Sequence, residues 1–100
     1  MFNHIENNKY EYTIMDEDIE YVKSFMAFTA MITKNRKQYA PVKNLTWEYM
    51  AIEAFIVDKF INQHDVRAGI LITVKGKYNM EIYIKDSKEL GGITHSAKIL

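Results

Sequence analysis

The sequence predicts an α+β domain of order β-α-α-β-β, with two helices packed on one face of a three-stranded antiparallel sheet and a short C-terminal tail. Three observations carry that reading. Residues 9–15 alternate with period two, two segments of helical period lie on either side of Pro41, and two further alternating runs flank Gly76. Helices on one side of a small sheet are the economical way to bury one apolar face of every element.

Residues 1–8 read as a loose polar start. In 9–15, Tyr10, Tyr12 and Ile14 point one way and Glu11 and Thr13 the other, which is a short strand. Asp16 suits a helix N-cap, and Glu17, Asp18 and Glu20 set negative charge where the helix dipole favours it. Tyr21, Val22, Phe25, Phe28, Thr29 and Ile32 then share one broad face of a helix that runs to about Lys37. Pro41 stops it.

Asn44 or Thr46 can cap a second helix reaching about Gln63. Trp47, Met50, Ala54, Val57 and Ile61 make its main stripe, and Ile52, Phe55 and Ile56 add a second apolar patch. A surface helix needs only one stripe, so this one is expected to be covered on two sides, by the rest of the fold or by a second copy of the chain.

Residues 67–75 and 78–85 read as a hairpin. Ala68, Ile70, Ile72 and Val74 share a face, as do Tyr78, Met80, Ile82 and Ile84. Placing both sets on one side sets Val74 opposite Tyr78 across the loop Lys75-Gly76-Lys77. The other face carries Leu71, Thr73, Asn79, Glu81, Tyr83 and Lys85 and is mostly polar, so the sheet is expected to be covered on one side only. Ser87 can cap a short helical turn ended by Gly91-Gly92. Residues 93–100 are a short strand or an extended arm.

One hundred residues with 48% hydrophobic and 26% charged side chains make a single domain, 1–100, that needs no metal or disulfide to fold. The absence of cysteine excludes thiolate metal sites and a cysteine nucleophile. Residues 1–12 lack the apolar run of a signal peptide, and no apolar stretch approaches the ~20 residues that span a bilayer, so a cytoplasmic protein with no membrane partner is expected. Formal net charge is zero, but blocks 1–20, 21–43, 44–66 and 67–100 carry −5, +5, −3 and +3. A near-neutral domain lacks the global field of a general nucleic-acid binder.

No residue pattern points to catalysis. The histidines His4, His64 and His95 show no metal spacing, no serine sits in a nucleophile elbow, and four glycines make no phosphate loop. No cofactor or metal is expected. Glu53 is the one acid inside an apolar helix face. It reads either as a structural pair, with Thr29, Thr33 or Lys34, or as a perturbed acid lining a pocket.

Lys34, Arg36, Lys37, Tyr39 and Lys43, with the hairpin tip Lys75 and Lys77, are candidates for nucleic-acid contact. The element order β-α-α-β-β resembles that of type I KH modules in outline, but segment 34–38 lacks the Gly-x-x-Gly clamp such modules use, and that family is set aside. Leu71, Tyr83 and Lys85 are candidates for a protein contact on the open sheet face, and Ile52, Phe55 and Ile56 for a homodimer seam. The leading expectation is a non-catalytic protein-binding module, a regulator or inhibitor that occupies a partner's surface and self-associates. A small nucleic-acid-binding protein is the alternative.

Overall fold

In the computed structural model, residues 2–24, 47–66, 68–87 and 91–100 are described. The chain is α+β, as expected, but the sheet is five-stranded and mixed. The strands are β1 (Phe2–Glu6), β2 (Lys9–Thr13), β3 (Ile70–Lys75), β4 (Met80–Ser87) and β5 (Gly92–Ile99), and they lie side by side in that order. Helix α1 is described over residues 16–24, and α2 spans Trp47–Ile61.

Both ends of the chain are strands. Phe2–Glu6 is not a loose start, because Asn7-Asn8 turns it back onto β2, with Asn8 at φ 63. Asparagine tolerates that left-handed conformation better than most residues. A Lys9–Glu6 ion pair of 3.0 Å closes the turn. At the other end, the segment left open between strand and arm is β5, which pairs along its whole length with β4. Ser87 caps no helical turn; it is the last residue of β4, opposite Gly92.

The all-antiparallel expectation fails at the centre. β2 and β3 run parallel, Lys9 beside Leu71 through Thr13 beside Lys75. The α-helical crossover between them returns the chain to the end of the sheet where β2 began, and such a crossover yields a parallel neighbour. The Ile14 N–H donates to the Lys75 carbonyl at 2.9 Å and extends the pairing by a residue.

The β3–β4 hairpin keeps the expected faces and shifts the register by two. Val74 lies opposite Met80, not Tyr78, and Ile72 and Ile70 oppose Ile82 and Ile84. A shift of two preserves which side chains face the core. Tyr78 leaves the strand to set its ring edge-on to Tyr49 of α2, 5.2 Å away. Gly76 at φ 113 turns the chain, and Asn79 Nδ2 donates to the Gly76 carbonyl at 3.0 Å.

Helix α1 begins one residue earlier than expected. The Met15 carbonyl accepts from the N–H groups of Asp18 and Ile19, and the Asp18 carboxylate accepts from the Met15 N–H at 3.0 Å. Met15 is therefore the cap, and Asp18 is the third helical residue reaching back to it. Asp18 also accepts from the Tyr12 hydroxyl at 3.0 Å, and that hydroxyl accepts from Lys59 Nζ of α2 at 3.2 Å. One phenol thus ties β2 to both helices.

The core lies between the helices and one sheet face. Tyr12, Ile70, Ile72, Val74, Met80, Ile82 and Ile84 meet Val22, Ile52, Ile56, Val57 and Phe60. The side of α2 read from sequence as a second patch is the one turned to the sheet, whereas Ala54 of the expected main stripe is exposed. A helix apolar around most of its circumference does not announce which side faces in. Among the described residues no helix is long and apolar enough to cross a membrane.

Candidate functional site

Strand pairing places the open face of the sheet in rows. Lys9, Leu71, Tyr83 and Ser96 form one row, and Glu11, Thr73, Glu81 and Lys98 the next. Lys85 lies beside Thr94 on the same face. The alternation that sends Ile82 and Ile84 into the core sends Tyr83 and Lys85 outward. Of the three residues expected to form a protein contact here, Tyr83 is 46% exposed, Lys85 is exposed and Leu71 half-buried.

Tyr83 does not stand clear of the sheet. A Cβ built on Gly69 would lie 2.2 Å from its hydroxyl oxygen and 2.8 Å from the ring carbon that bears it. The missing side chain at Gly69 thus makes room for the phenol to lie along the surface, beside Leu71 across the β3–β4 pairing. An aromatic ring held in place, amphipathic and bordered by polar residues, loses little side-chain entropy on contact with a partner.

Two of the three residues expected to form a homodimer seam on α2 are turned into the core. Ile52 and Ile56 are 1% and 0% exposed against the sheet. Only Phe55 is partly accessible, and it packs on Tyr21, with ring centres 5.5 Å apart, and beneath Lys59.

The nucleic-acid candidates divide. Lys34, Arg36, Lys37, Tyr39 and Lys43 lie outside the described residues. Lys75 pairs with Glu11 at 2.9 Å and Lys77 with Asp16 at 3.0 Å, so each cation at the hairpin tip faces a carboxylate.

Glu53 is 3% exposed and pairs with a residue not foreseen from the sequence. His95 Nδ1 on β5 lies 2.6 Å from its Oε2, the imidazole N–H donating to the carboxylate. The expected partners Thr29, Thr33 and Lys34 lie outside the described residues. No spacing signal could have linked Glu53 and His95, since the strand that carries His95 was itself unassigned. A carboxylate that orients an imidazole is a catalytic arrangement when a nucleophile stands on the far nitrogen. The neighbouring Ser96 points to the opposite face of the sheet. A groove of about 570 Å³ beside α1 and α2, lined among the described residues by Tyr21, Ala54, Phe55 and Asp58, does not include Glu53. Neither does a hollow of about 180 Å³ lined by Ile19, Glu48 and Tyr78. The pair joins α2 to β5.

His64 stacks flat on Phe60 with ring centres 4.5 Å apart, and His4 lies 5.0 Å from Tyr10. Among the described residues no three His, Asp or Glu side chains gather as a metal site.

No family model matches the chain, no curated protein does, and neither does any solved structure.

Proposed function

We propose that the chain is a non-catalytic protein-binding module whose contact surface is the open face of the sheet, centred on Tyr83 with Leu71 and Lys85. The observation that carries this reading is the Tyr83 ring, 46% exposed yet seated over Gly69 on a face that neither described helix covers. Buried polar residues serve the fold: Glu53 is committed to His95, and Tyr12 to Asp18 and Lys59. A module of this kind regulates or inhibits by covering a partner's surface. The nucleic-acid reading is less favoured, because Lys75 and Lys77 already face Glu11 and Asp16.

The test is capture from lysate of the native host with nuclease present, using the wild-type chain, Tyr83→Ala and Leu71→Glu. A discrete protein retained at stoichiometric yield by the wild type, and lost with both variants at unchanged melting temperature, supports the reading. Equal retention by the variants moves the contact elsewhere. Loss of all bound material on nuclease treatment favours nucleic acid instead.

A further inference from the structure

The two edges of the sheet are unlike. β1 is five residues long, and its pairing with β2 shifts register between His4 and Glu6. Short, irregular and charged edges resist pairing with another chain. β5 is eight residues long, holds one register with β4 throughout, and contains no proline. Its single lysine is Lys98. Among the described residues no strand pairs with its free side.

The free side can be specified residue by residue. The Leu100 N–H donates to the Asn79 carbonyl at 3.1 Å, in step with the β4–β5 register. Along an antiparallel strand the backbone groups turn alternately toward and away from the neighbour. Thr94, Ser96 and Lys98 therefore turn theirs to β4, while Ile93, His95, Ala97 and Ile99 turn theirs outward. Ile93 is 42% exposed, and Leu100 beyond it 61%.

We propose that β5 is the seam of a symmetric dimer of this chain, in which two copies pair antiparallel about Ser96 and join their sheets into one of ten strands. In that register Ile93 faces Ile99 of the second copy, and His95 faces its Ala97. All four outward residues then find hydrogen-bonding partners among the same four residues of the other copy. Ile93 covers its exposed side chain with an isoleucine, and the small Ala97 leaves room for the imidazole held by Glu53. On the open face Thr94 meets Lys98, and Ser96 meets itself, so no like charges oppose. Centring on His95 instead would stack two imidazoles and pair Ile99 with Gly91, beyond the strand. This self-matching favours a second copy over a foreign strand as the occupant. The dimer does not rest on the Tyr83 surface, which lies on a face that this pairing leaves open.

The experiment is sedimentation of the full chain from about 20 to 500 µM, a range suited to a small interface, with amide exchange at both ends of it. The expected result is a doubling of mass with concentration. The amides of Ile93, His95, Ala97 and Ile99 should slow by about tenfold or more, while those of Thr94, Ser96 and Lys98 should change little. Ala97→Pro removes an outward N–H without taking a bond from the β4 ladder, so it should be monomeric. The wild-type chain has no cysteine, so Ser96→Cys gives a clean second variant. Two such residues across a non-hydrogen-bonded pair lie about 4.5 Å apart at Cα, within disulfide range, and should link under glutathione disulfide, whereas Lys98→Cys should not. A monomer throughout the range with Ser96→Cys unlinked overturns the proposal. So does a dimer that survives Ala97→Pro, or protection confined to β1. Tyr83→Ala should leave the dimer intact, so its failure and that of the partner-binding reading are told apart.

Discussion

The Glu53 carboxylate and the His95 imidazole meet at 2.6 Å across the boundary between α2 and β5, the first almost wholly buried and the second at the sheet's edge. A buried carboxylate without a donor keeps its full desolvation cost, so the imidazole holds more than its own contact energy. His95→Ala should therefore lower stability by about 2–3 kcal/mol, against about 1 kcal/mol for Glu53→Gln, whose amide oxygen still accepts. Urea titration of both variants and the double mutant checks this. A double mutant less destabilised than the sum of the two establishes the coupling.

Tyr12 sets an alkaline limit. Burial, followed by the hydrogen bond to Asp18 and the charge of its carboxylate, pushes the Tyr12 phenol well above its ordinary range. The folded state then holds the phenolic proton more tightly than the unfolded chain does. That contribution is whole below pH about 10 and declines above it, by up to about 1.4 kcal/mol per pH unit. Tyr12→Phe should cost about 1–2 kcal/mol at neutral pH by stranding Asp18 and Lys59, and should flatten the fall between pH 10 and 11. Melting temperature against pH for the two proteins reads both effects.

Gly69 controls the posture of Tyr83. The φ of Gly69 is one that other residues adopt, so Gly69→Ala meets the phenol and not the backbone. The ring must rotate off the sheet, at an expected cost below about 1 kcal/mol, because the far end of a side chain moves freely. Partner capture should weaken as it does for Tyr83→Ala, and adding Gly69→Ala to Tyr83→Ala should change nothing further.

Ile56 separates a core residue from a seam residue. It has no exposed surface and packs in the cluster with Ile52, Val57 and Phe60. Ile56→Ala should lower stability by about 2–4 kcal/mol through the cavity it leaves, and sedimentation at matched folded concentration should show no change in association.

Much of the sheet could be read from the chain. Ile70, Ile72, Val74, Met80, Ile82 and Ile84 face inward as their alternation required, and Tyr83 and Lys85 face outward. Period two survives a change of register, which is why the faces were right although Val74 meets Met80. β1 escaped notice because five residues with a pairing irregularity at Ile5 show no clean alternation. The parallel β2–β3 contact and the Glu53–His95 pair are long-range, and no local pattern encodes either. On α2, Ile52 and Ile56 were misplaced because apolar residues surround the helix and leave its inward side undetermined.

The parallel contact at the centre of the sheet also bears on how the chain folds. Lys9 and Leu71, neighbours across that contact, are sixty-two residues apart in sequence, whereas β1–β2 and β3–β4–β5 each close over short turns. Two local units can therefore assemble early, a hairpin and a three-stranded meander, each with an unmatched side. Joining them requires closing the long crossover loop, whose entropic cost is met only as β2 docks on β3. Docking of β2 on β3 is the step that makes the two units one domain. Until then the side of β3 that will receive β2 remains open, an edge that the folded sheet no longer offers.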